Sequence, residues 1–156
     1  RLETMNVFDG KRKVIYDKES RFEAPNWMPK GDELLFNMDG SLYTIPVEGG
    51  NPNKLNTGSA DQLNNDHCIS FNGKLLGISH NDGNGSNVFY LPLEGGEPKA
   101  VTTTSPSYLH GWAPHDSQQK PLRPGAAKHR LADALGAVEQ SAGDKTAPGG
   151  GEGGAA

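Results

Sequence analysis

Two histidines carry the most chemistry in this 156-residue sequence. His67 and His110 each stand two residues ahead of a bulky apolar residue, Ile69 and Trp112 respectively, so both hold the same place relative to a core position. Imidazoles titrate near neutral pH and are the commonest metal ligands; two brought together could hold a metal or pass protons. The competing role is that of a latch, each ring hydrogen-bonding the backbone of a neighbouring element. A metal would need a further ligand, and Asp66 is the only acidic residue beside either histidine. Asn64, Asn65 and Asp66 offer amides and a carboxylate to a sugar-like polar ligand, although the same residue types also build ordinary turns.

Weaker candidates each have a plainer structural reading. Cys68 adjoins His67, which could lower a thiol pKa. Neighbours along a strand point to opposite faces, however, and that favours a buried structural cysteine. Trp27 and Trp112 could stack on a sugar ring, but at repeat-equivalent positions the expected place is the core. Asp82-Gly83-Asn84-Gly85-Ser86 alternates oxygen side chains as a calcium loop does, yet Leu93 stands where such a loop needs its Glu. Its Asp-Gly and Asn-Gly pairs predict a hairpin, with His80 as a solvated residue beside it. There is no nucleophile elbow, phosphate loop or paired zinc-ligand motif.

The elements that would position these residues repeat along the chain. Leu42-Tyr43-Thr44-Ile45-Pro46-Val47-Glu48-Gly49-Gly50 recurs as Val88-Phe89-Tyr90-Leu91-Pro92-Leu93-Glu94-Gly95-Gly96. Tyr43, Ile45 and Val47 thereby align with Phe89, Leu91 and Leu93, the alternation of a half-buried strand. Leu55, Val101 and Ile15 follow Gly50, Gly96 and Gly10 at one offset, so a partial third copy opens the chain. Strands centred on Trp27, Ile69 and Trp112 come next, the first two leading through Met28-Pro29-Lys30-Gly31 and Ser70-Phe71-Asn72-Gly73 turns into second strands at 33–38 and 74–79. Four short antiparallel strands in each repeat of roughly 40 to 45 residues predict an all-β fold, the blades of a β-propeller.

Composition narrows the functions. A formal net charge of -4 lacks the basic stripe that replaces nucleic-acid counterions, so no nucleic acid is expected as a partner. The one cysteine excludes an internal disulfide framework. No run of about 18 apolar residues exists to span a membrane as a helix. The sequence opens on Arg1, so its start is expected to be missing, which leaves the cytoplasm and the periplasm both open.

At this level the chain resembles the TolB-type propeller repeats, which carry Trp-Ser-Pro-Asp-Gly before the second strand and a Gly pair after the third. It is similar in particular to TolB-like bacterial proteins with Ala-Pro-Asn-Trp, Asn-Asn-Asp-His and His-Gly-Trp at successive blade entries. These strings stand at Ala24 to Trp27, Asn64 to His67 and His110 to Trp112. The resemblance covers about residues 2 to 114. Phe71 replaces the expected Pro, Asn72 and Lys30 replace Asp, and His115 interrupts the third turn.

The expected organisation is a partial propeller over 1–116, with two complete blades at 24–57 and 66–103 and parts of two more, then a Gly/Ala-rich tail over 117–156. The tail is expected to be disordered: Leu131, Leu135 and Val138 would share one face of a short helix around 126–138, but an isolated helix of that length is marginal in water; a shifted reading frame or a junction is expected near His115. Relatives would have about six blades. The resemblance implies a non-enzymatic protein without a cofactor, binding a protein partner or small polar ligand at the channel mouth through His67, His110, Asn65 and Asp66. It also implies an alternative, a metal-dependent enzyme like the oligogalacturonate lyases, with His67 and His110 as metal candidates, or an inactive piece of one. Incomplete closure predicts self-association through exposed blade faces.

Overall fold

The computed structural model describes residues 1–113 and the backbone of 137–139. Those residues are all β, in strands β1 (Leu2–Met5), β2 (Arg12–Tyr16), β3 (Phe22–Trp27), β4 (Glu33–Met38), β5 (Ser41–Pro46) and β6 (Asn53–Lys54). They continue as β7 (Leu63–Ile69), β8 (Leu75–Asn81), β9 (Ser86–Pro92), β10 (Lys99–Ala100), β11 (Ser107–Leu109) and β12 (Ala137–Glu139). Two four-stranded antiparallel meanders result, β3-β4-β5-β6 and β7-β8-β9-β10, flanked by two-stranded sheets β1-β2 and β11-β12.

The turns follow from the glycines the sequence places in them. Gly31 and Gly73 adopt φ of 76° and 66°, and each donates its N–H back three residues, to Met28 O and Ser70 O. The repeated Gly pairs have a second role, close approach between sheets. Gly95, at φ 102°, lies so near the Asn56 carbonyl that a Cβ there would meet it at 2.6 Å, while the Gly96 N–H donates to that same oxygen. Gly49 approaches the Ile15 carbonyl in the equivalent place one sheet earlier, its hypothetical Cβ at 3.2 Å.

Every core lies between sheets. Leu2 and Ile15 pack with Leu34, Phe36 and Met38; Leu35 and Leu42 pack with Leu63, Leu76 and Ile78; Val88 packs with Leu109 and Trp112. Strand β4 is therefore buried on both faces, which explains a run of Leu-Leu-Phe where a surface strand would alternate with polar residues. Buried polar residues tie the same sheets together. Asn37, 1% exposed, donates to Leu63 O and Asn64 O and accepts from Gly40 N, while Ser79, fully buried, accepts the Leu109 N–H at 2.8 Å from the equivalent position of β8.

Three expectations are corrected. Trp27 ends β3 with 57% of its surface exposed and, among the described residues, joins none of the core clusters between sheets. The strand expected around Trp112 is β11, which stops at Leu109; Trp112 instead folds back, its Nε1–H donating to Cys68 O at 3.0 Å. Ala137–Glu139, in the tail where disorder was expected, is extended as β12, Val138 pairing with Tyr108 along an open strand edge; residues 126–136 of the segment weighed as a helix lie outside the described residues. His115 and, apart from 137–139, the residues of the 117–156 segment lie outside the described residues.

Candidate functional site

The two histidines differ in their surroundings. His67 lies in β7 beside a register irregularity between Leu63 and His67, and faces a matching irregularity in β3 where Ala24 takes φ 49°. Bulges of this kind swing a side chain out of the regular pleat. The His67 ring is enclosed, 7% exposed, next to backbone groups of Asn65, Leu35 and Ala24, none of which meets either nitrogen in hydrogen-bond geometry. Burial drives its pKa down to about 4, offset in part by those backbone groups, so the imidazole is neutral at physiological pH. Ala24 and Leu35 belong to the preceding sheet, which is the neighbourhood of a latch.

His110 follows β11 and is exposed. Asn65 is exposed, and Asp66 is half-buried, tied to Asn64 by Asn64 Nδ2–H to Asp66 Oδ2 at 2.9 Å and by Asp66 N–H to Asn64 Oδ1 at 2.8 Å. Among the described residues no group of three or more His, Cys, Asp or Glu is arranged to hold a metal ion. A metal shared by both imidazoles would need both rings open to one space, and the His67 nitrogens are closed off. Cys68 is half-buried with its thiol pushed up to about 11 by burial, which leaves it protonated and unreactive near neutral pH.

The open chemistry lies at the end of the second sheet where the chain enters β7. There a cleft of about 410 Å³ is lined by Asp61 and Gln62 from the entering loop, His80, Asn81 and Asp82 from the β8-β9 hairpin, and Phe89 from β9. The Asp-Gly and Asn-Gly pairs form the hairpin, Asp82 Oδ1 and Asn81 Oδ1 accepting the Asn84 and Gly83 N–H groups at 3.0 Å. His80 is not solvated as its hairpin setting implied. It is 7% exposed, packs edge-on against Phe89 with centroids 5.7 Å apart, and its Nδ1 accepts the Gln62 N–H at 3.3 Å. That bond fixes Nδ1 as the acceptor, so in the neutral ring the proton sits on Nε2.

His80 escaped sequence reasoning because it stands in a turn-rich stretch; the available signal was its place on the same strand face as Leu76 and Ile78, which are both core.

The sequence and structure have counterparts in Agrobacterium. The chain is 43% identical over 115 residues to the uncharacterized protein Atu1656 of Agrobacterium fabrum. It superposes with a TM-score of 0.67 and 42% identity on the solved structure of a putative TolB from Agrobacterium tumefaciens, over 71% of this chain. The fold is TolB-like. The chain spans 39% of the first of these relatives and 41% of the second. No family model matches the sequence.

Proposed function

We propose that this TolB-like chain belongs to a non-enzymatic binding protein, which takes a small polar ligand at the end of the sheets where the chain enters the first strand of each. The cleft beside β7 carries the reading. It sets the Asp61 and Asp82 side chains around a cavity of ligand size, with Phe89 as an apolar wall and His80 held in one tautomer. Two acceptor carboxylates suit a ligand rich in hydrogen-bond donors, such as a polyol, an amino sugar or a polyamine. Asn65, Asp66 and His110 extend the polar rim along the entering strands; His67 supports the site from within, as a packed strut between sheets.

Titration calorimetry of the 156-residue chain against sugars and polyamines tests the reading. Asp61→Asn with Asp82→Asn is expected to weaken binding at least tenfold, and His110→Ala to weaken it less. Binding that survives the double substitution would place the ligand elsewhere. The same carboxylates could receive lysine side chains of a protein partner, in which case the small ligands fail and partner binding weakens as salt rises.

A further inference from the structure

We propose that Asn84 is a site of spontaneous modification, losing its side-chain amide by cyclisation onto the Gly85 nitrogen, and that the fold protects the comparable positions from the same reaction. The chemistry needs an Asn or Asp followed by a residue whose backbone nitrogen can reach the side-chain carbonyl carbon. Glycine permits it best, having no Cβ in the way and a wide choice of backbone angles. Five such pairs stand in the sequence: Asp9-Gly10, Asp39-Gly40, Asn72-Gly73, Asp82-Gly83 and Asn84-Gly85. In the first four the attacking N–H is already committed. Gly10 donates to Asn6 O at 2.9 Å, Gly40 to Asn37 Oδ1 at 3.1 Å, Gly73 to Ser70 O at 2.8 Å and Gly83 to Asn81 Oδ1 at 3.0 Å. The Asn72 side chain is held as well, its Oδ1 accepting the Ser70 hydroxyl at 2.9 Å and the Lys74 N–H at 3.0 Å.

Asn84-Gly85 differs on both counts. The Gly85 N–H donates to no group among the described residues, and the Asn84 amide, exposed in the β8-β9 hairpin, has no partner among them; only the Asn84 backbone is tied, its N–H donating to Asp82 Oδ1. The packing also requires glycine at 85. It adopts φ 119°, and a Cβ there would run into Ser105 Oγ on the way to β11. The hairpin belongs to a complete four-stranded sheet with neighbours on either side, so the site depends on neither end of the chain.

The reaction balances with water alone as co-reactant. Hydroxide removes the Gly85 amide proton, the nitrogen bonds to Asn84 Cγ, and the Cγ–Nδ2 bond breaks with release of ammonia, leaving a cyclic imide. Water then opens the ring at either carbonyl. Cleavage of the new bond to Cγ gives aspartate; cleavage of the original peptide bond gives isoaspartate, with the main chain running through Cβ. Either product places a carboxylate two residues from Asp82, which lines the cleft together with Gly83. Isoaspartate also lengthens the hairpin by one backbone carbon beside the Asn81 and Ser86 pair that ends the β8-β9 ladder. The modification requires no ligand in the cleft.

The test is peptide mapping by mass spectrometry of the 156-residue chain aged in warm, mildly alkaline buffer. In the folded chain Asn84 is expected to convert roughly tenfold or more faster than Asn72, which reacts only when its turn opens locally. In guanidinium, where both pairs are unfolded, the two rates are expected to converge. Isoaspartate is expected at position 84 alongside aspartate, recognised by enzymatic methylation of the isoaspartyl carboxylate. Equal rates at the two sites in the folded chain, a faster Asn72, or an Asn84 that stays intact when folded while converting in guanidinium would each overturn the proposal.

Discussion

His67 is the residue most exposed to a pH test. Its folded pKa, about 4, lies below the ordinary value near 6.5, so the unfolded chain takes up the proton first as pH falls. The stability present above pH 6.5 is lost progressively down to pH 4, up to about 3 kcal/mol in all. Thermal melts should therefore fall steeply across that window, and His67→Gln should flatten the dependence; an unchanged slope would move the titration to another group. Asn37→Ala should cost about 1 to 3 kcal/mol in urea denaturation, because it strands two backbone carbonyls and the Gly40 N–H. Two equally spaced histidines were legible in the sequence as a pair. Their different fates were not, since burial depends on local packing: the His67 ring is enclosed beside Ala24 and Leu35 of the preceding sheet, whereas His110 is exposed although Leu109 and Trp112 on either side of it pack on the sheet behind.

At the scale of elements the reading of the sequence succeeds where the period is two and the turns carry Gly, because local sterics decide both. Strands β3 to β5 and β7 to β9 were legible for that reason, and so was the hairpin at 82–86. The limits of β11 were not, because Trp112 carries the mark of a strand centre while serving as a donor to the sheet behind it. The Gly pairs were visible as punctuation, but their close approach to a neighbouring carbonyl belongs to packing. Gly95→Ala should thus cost several kcal/mol, combining a disfavoured φ with a clash at Asn56 O, and Gly83→Ala, which has open space around it, about 1 kcal/mol. Chemical denaturation of the two variants side by side measures the difference.

For the molecule as a whole, the all-β architecture followed from the repeat, and the cleft did not, because its walls come from a loop, a hairpin and a strand that only the assembled sheet brings together. Amide exchange should be slowest in β4 and β8, which are buried on both faces, and fastest in the two-residue outer strands β6 and β10. Equal protection across all four strands of a sheet would contradict that gradient. The placement of every core between sheets has one more consequence. The chain is modular in its text but not in its energetics: Phe36 belongs to the first junction and Leu35, its neighbour, to the second. Excising any one repeat would strip apolar cover from two others, so boundaries drawn through the sequence motif would not yield a piece that folds alone, and proteolysis that opens one sheet should commit its neighbours to digestion with it.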